Sequence, residues 1–265
     1  MSTPSASLRS ILLPKEHGSW SLAFELLLLG ILVVPSRPGL FLALAVIAGF
    51  FTRRPLKLTV TLPAGDGRRG RTLRWTILFS VIALVGLGGA GYTGGWPALW
   101  PLLLCVPLGA TFLWFDLRNE MREAEAELCG SAAFALVPAA LATLGGWSAP
   151  AALGLAALML TRSLPTVLTV RTYLRQAKGL PAHPVGALAA AAGSFALIAG
   201  LGLMAIVPAA GGLLAAGLLL RSVLMLTALR PVWTAKCVGM LEAVVGMIYL
   251  GGLALAYHGP LLMKT

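Results

Sequence analysis

Residues 185–229 read VGALAAAAGSFALIAGLGLMAIVPAAGGLLAAGLLLRSVLMLTAL, with no charge before Arg221. As a single helix this stretch would run about 68 Å, roughly twice the hydrocarbon thickness of a bilayer. It is therefore divided at Pro208 and the Gly211-Gly212 pair into two crossings. Similar runs recur along the whole chain, and nine spans are predicted at about 18–34, 38–52, 75–92, 97–115, 128–145, 150–169, 185–207, 210–229 and 237–257. Of the 265 residues, 58% are apolar and 11% charged, which fits an all-α polytopic membrane protein. A β-barrel is excluded because the runs do not alternate. One integral membrane domain over residues 1–265 accounts for the pattern.

Span 38–52 is short, and with span 18–34 it reads either as a crossing or as a re-entrant hairpin around Pro35-Ser36-Arg37-Pro38. The first apolar run contains Glu25, and no small-x-small pattern precedes Pro35, so no cleavable signal peptide is expected. Cys105, Cys129 and Cys237 have no metal-ligand spacing and read as small packing residues.

The net charge of +11 has a sidedness. With the N-terminus in the cytoplasm, all 20 Lys and Arg except Arg37 and Lys264 fall on or toward the inside. That predicts a multi-pass protein of the plasma (inner) membrane whose C-terminus lies outside. Topology and anionic membrane lipids account for the basic excess, and no nucleic acid is invoked. Trp96, Trp100 and Trp147 fall at the short outer connections, as interfacial anchors do. The inner connections, expected at about 53–74, 116–127, 170–184 and 230–236, hold most of the chemistry.

Glu25, Arg162, Arg221 and Glu242 interrupt the spans themselves. A charge in hydrocarbon costs roughly 2.5–3.5 kcal/mol on insertion scales, so such residues face a protein interior or a wet cavity. Glu25 lies two helical turns past His17, Arg162 and Arg221 lie before Arg171 and Arg230, and Glu242 lies past Lys236. Each is therefore roughly 9–14 Å from its marker on the cytoplasmic side. Four charges at one depth predict a shared polar cavity open to the cytoplasm.

Around its mouth stand three groups. Arg53, Arg54 and Lys57 lead the first inner loop, and Arg171, Arg175 and Lys178 stack at i, i+4, i+7 in the third, with Lys236 beyond. They read as a phosphate grip or as a lipid-contacting basic rim. Asp116, Glu120, Glu123 and Glu127 would share one face if the fourth helix continued, as a metal site, a salt-bridged partner of the basic loop or a solvated stripe. Glu16 and His17 stand at the entrance of the first span, where a His beside carboxylates can carry a proton or anchor the helix.

The run Pro14–Trp20, PKEHGSW, resembles the PxxHGxW signature of the YwiC-like family of bacterial membrane proteins. Nine helices with long inner loops after the second, fourth and sixth are similar to the UbiA-type intramembrane prenyltransferases. Glu127–Phe134 with Gly145-Gly146-Trp147 resembles their fifth helix, and RTYLRQAKG at 171–179 occupies the place of their DxxxD segment. That likeness implies a UbiA-like bundle holding a prenyl diphosphate. The usual Asp-rich magnesium motifs are replaced by RRPLK at 53–57 and by Arg171-x-x-x-Arg175, which cannot bind magnesium. No cofactor is assigned. The leading expectation is binding of a lipid (isoprenoid) phosphate by Arg53, Arg54, Lys57, Arg171, Arg175 and Lys178. Glu25, Arg162, Arg221 and Glu242 would line the cavity, and His17 with Glu16 would move a proton, as in a transferase reaction. The alternatives are a proton-coupled transporter of a small anionic or lipid substrate, and a non-catalytic membrane subunit whose charges are closed by internal pairs.

Overall fold

The computed structural model describes residues 17–121, 123–227 and 230–259, with side chains from Phe24 onward. Among these residues the chain forms nine α-helices and one 3-10 turn. The helices are α1 (His17–Val33), α2 (Arg37–Thr61), α3 (Arg69–Gly94), α4 (Trp100–Leu117), α5 (Ala124–Leu144), α6 (Ala149–Ala177), α7 (Pro184–Leu203), α8 (Ala209–Leu226) and α9 (Ala235–His258). Eight stretches, α2 to α9 with the 3-10 turn leading into α4, are long and apolar enough to cross a membrane. The protein is an all-helical, multi-pass membrane-type bundle. The division of 185–229 falls where expected, with Pro208 as the N-cap of α8.

Two expectations about the inner connections are corrected. The loop assigned to 53–74 is mostly helix, because α2 runs on through Pro55 to Thr61 and only residues 62–68 connect it to α3. Its 25 residues make α2 a full crossing rather than half of a re-entrant hairpin. Ser36 starts it, its Oγ accepting from the Gly39 N–H at 3.1 Å. Past Pro55, the Thr59 hydroxyl donates to the Pro55 carbonyl at 2.8 Å. Lys57 lies one turn after Arg53, and both meet a carboxylate from α4. The cations that suggested a loop are therefore paired along a helix face. The second correction concerns 116–127: α4 stops at Leu117, and Asn119 takes φ 62°. That left-handed residue turns the chain, so the acidic residues do not form a continuous helical stripe. The third and fourth connections contract to 178–183 and 227–234.

Helices α5 and α6 are the most enclosed, and α3, α4 and α7 present most of their surface outward. Exposed Leu84, Leu103, Val106 and Leu213 form the kind of apolar surface that lipid covers. The main core gathers Leu26 and Leu29 of α1, Ala135 and Ala139 of α5, Leu155 and Leu158 of α6, and Leu250 and Leu253 of α9. Between α2 and α3 the backbones approach closely at Gly86, where a Cβ would sit 2.8 Å from the Phe41 carbonyl and the Ala45 nitrogen. At the other end of the same pair, Thr59 and the buried Thr72 are hydroxyl to hydroxyl at 3.0 Å. Helices α1 and α9 run in the same direction and touch, with His258 Nε2 2.7 Å from the Leu32 carbonyl. The first helix is thus packed against the last, which brings Glu25 toward the C-terminal half of the chain.

Candidate functional site

Four helices deliver the intramembrane charges to one place. Arg162 of α6 meets Glu25 of α1 at 2.6 Å, and Arg221 of α8 is hydrogen-bonded to Glu242 of α9. Glu25, Arg162 and Arg221 are less than a tenth exposed. The two pairs are not independent, since Arg162 is within electrostatic reach of Arg221 and Glu242, and Glu25 of Glu242. The guanidinium of Arg162 also lies 6.0 Å from the Tyr249 ring centre, and Tyr249 donates to the Leu158 carbonyl. Arg221 further donates to Thr166 Oγ1 at 3.3 Å, beside a Thr169–Ser222 hydroxyl contact at 3.1 Å. A polar seam thus runs between α6 and α8.

The charges are closed on one another instead of lining the open cavity expected from the sequence. Two cations paired with two carboxylates leave no net charge to bury, which is the cheapest way to hold four such groups in hydrocarbon. A hollow of about 250 Å³ lies elsewhere, at the α1–α2 turn around Ile31, Pro35 and Leu40.

Two features of the cluster were not read from the sequence. The first is Gly246, one turn beyond Glu242 on α9. A Cβ there would stand 2.1 Å from Arg162 Nη2 and 2.7 and 2.8 Å from the Glu25 carboxylate oxygens. The bare backbone of α9 therefore forms the wall against which the Glu25–Arg162 pair is seated. A glycine at i+4 from an intramembrane Glu is the signal that was present, and it is faint among 31 glycines. The second is incomplete bonding: Arg162 Nε, Arg221 Nε and Glu242 Oε1 are buried without a hydrogen-bond partner among the described residues.

The outer groups at the basic end form a separate belt. Asp116, buried at the end of α4, takes Arg53 Nε at 2.6 Å and Lys57 Nζ at 2.8 Å. Arg53 also lies over the Phe112 ring at 4.7 Å and reaches Met121 Sδ. Arg171 sits near Glu123 and Glu127 of the next segment, at 3.8 and 3.6 Å. Arg175 donates to the Pro181 carbonyl, and Glu120, Lys178 and Lys236 are exposed. Arg54 is half-buried on α2. The basic and acidic segments are thus salt-bridged partners, one of the options left open by the sequence. No group of three or more His, Cys, Asp or Glu gathers to hold a metal among the described residues. Tyr173 ties the 230–234 segment down, its hydroxyl donating to the Pro231 carbonyl and accepting from the Trp233 N–H. Glu16 lies outside the described residues, and His17 opens α1 with its side chain outside them.

The family model of YwiC-like proteins matches residues 13–142. That region is similar to YwiC-like proteins. It begins with the Pro14–Trp20 motif and covers α1 to α4 and nearly all of α5. The YwiC-like region contributes Glu25, Arg53, Lys57 and Asp116, while Arg162, Arg221 and Glu242 come from beyond it. No curated protein and no solved structure matches the chain.

Proposed function

We propose that this YwiC-like membrane protein is a proton-coupled carrier whose working element is the Glu25–Arg162–Arg221–Glu242 cluster. The single observation that carries this reading is the incomplete bonding of the cluster. Arg162 Nε, Arg221 Nε and Glu242 Oε1 are buried, polar and unmatched. An assembly subunit with no chemistry would also close its charges in pairs. It would have no use for unmatched atoms, since a buried polar group without a partner costs about 1–3 kcal/mol. A cluster that must open, load and close again keeps such bonding capacity for another state. The cationic end would face the cytoplasm of a plasma membrane, with the N-terminus inside and the C-terminus outside. Purified protein in liposomes should carry a proton-linked flux that disappears in Glu25→Gln. A variant that is folded and carries the full flux would end this reading.

A second reading, binding of a lipid phosphate at the belt, is supported by the cations gathered there, with Lys178 and Lys236 exposed beside the salt-bridged Arg171. Arg171 would grip the phosphate with Arg54, Arg175, Lys178 and Lys236, and Glu16 with His17 would serve an acceptor's proton if the protein were a prenyltransferase-like enzyme. Arg53 and Lys57 are held by Asp116 and would have to leave it first. Mass spectrometry of gently extracted protein tests this. An isoprenoid phosphate that is lost in Arg171→Ala with Arg175→Ala supports it, and its absence from the unaltered protein refutes it.

A further inference from the structure

Arg162 and Arg221 are two like charges brought within reach of each other inside the bundle. Each is bonded through its terminal nitrogens, Arg162 Nη2 to Glu25 and Arg221 Nη1 to Glu242, and each keeps its Nε–H unbonded. Two guanidinium groups with spare donors in one cluster favour an anion with two acceptor oxygens, because guanidinium edges match oxyanions. The closed cluster has no spare room beside α9, where even one added carbon at Gly246 would collide with the pair, so an anion enters only as an ion pair opens.

Charge balance constrains how such an anion can enter. The closed cluster holds two cations and two carboxylates and is neutral. An anion entering alone would leave one uncompensated negative charge in the membrane interior, which is strongly disfavoured. Bringing one proton along removes that cost. Glu242 is the group placed to accept it, with Oε1 unbonded, Arg221 of α8 at its other oxygen, and Glu25 of α1 and Arg162 of α6 within electrostatic reach.

From this we infer that the cluster is a binding site for a small monovalent oxyanion that enters with one proton. The inference rests on the carrier reading and names its substrate class and stoichiometry. In the loaded state the proton sits on Glu242, the Glu242–Arg221 ion pair is broken, and the anion takes the arginine edges. The cluster then holds two cations, one carboxylate and the bound anion, and is neutral again. Transport by such a step moves no net charge.

The test uses the purified full-length protein and formate as the smallest carboxylate probe. Calorimetric titration in two buffers of different ionisation heat counts the protons taken up per formate bound. One proton is expected per formate bound by the unaltered protein, and none per formate bound by Glu242→Gln, whose side chain is already neutral. Absence of formate binding, binding with no proton uptake or with release, or uptake that persists in Glu242→Gln would each overturn the inference. Neutral formamide binding as tightly as formate would overturn it too. Liposome flux is read separately. Formate-linked proton uptake without flux would keep the site and remove the carrier reading. Proton-linked flux of another solute without formate binding would do the reverse.

Discussion

Replacing Gly246 by Ala adds one methyl group at a crowded point of the interior. The new carbon would lie 2.1 Å from Arg162 Nη2 and under 3 Å from both Glu25 oxygens. Both neighbours are charged and held by each other, so neither can turn away without leaving the other unmatched. Overpacking of a tight interior costs about 1–3 kcal/mol, and separating a buried ion pair costs more, about 3–5 kcal/mol. Against this, Ala is favoured over Gly within a helix by about 1 kcal/mol. The net expectation is a loss of about 1–3 kcal/mol of stability, between the net outcomes of simple overpacking and of full rupture of the pair. The internal control is Gly239 on the same helix, where an added Cβ meets nothing within 4 Å. Gly239→Ala should be neutral or slightly stabilising. Unfolding of the two variants by denaturing detergent titration, in otherwise identical micelles, separates them. Equal stability of Gly246→Ala and Gly239→Ala would refute the seating of the ion pair on bare α9 backbone. A further check is to combine Gly246→Ala with Glu25→Ala, where the methyl group should cost less because Arg162, no longer held by Glu25, can turn away from it.

Asp116→Asn leaves the Arg53 and Lys57 cations without their shared carboxylate and should cost about 1–3 kcal/mol, with faster amide exchange near residues 53–61. The Arg68 guanidinium and backbone N–H beside Asp66 hold its carboxyl down to about 2, below its ordinary 3.8. A lowered carboxylate steadies its turn above the ordinary value and loses that contribution as pH falls toward 2, which a carbon-detected NMR titration of Asp66 reads directly. Arg68→Ala should return the Asp66 midpoint close to its ordinary value in the same titration. Thr72→Val removes the hydroxyl contact with Thr59 between α2 and α3 and should cost about 0.6 kcal/mol, measured by unfolding as for Gly246→Ala.

The crossings were legible because apolar length needs no partner to be recognised: Pro208 divides 185–229 where the sequence divides it. The extent of α2 was not, because Arg53, Arg54 and Lys57 look like the start of a loop until Asp116 is seen beside two of them, about sixty residues away. Asn119 ended the expected acidic stripe through a single backbone torsion, which periodicity does not report. The common depth of the four intramembrane charges followed from counting residues along helices. Their pairing did not, because it depends on α1 lying against α9 and near α6, a long-range arrangement. Counting also could not say whether the space between the charges is open or filled, and Gly246 shows how completely α9 fills it.

The pairing of α1 with the C-terminal half has a consequence for biosynthesis. Glu25 enters the membrane 137 residues before its partner Arg162 has been made. At ~5–20 residues per second, the nascent chain spends roughly 7–27 s with a carboxylate that has nothing to neutralise it. During that interval α1 should be poorly retained in the bilayer and open to membrane quality control. A ribosome that stalls before α6 therefore yields a chain marked for removal by its own first helix.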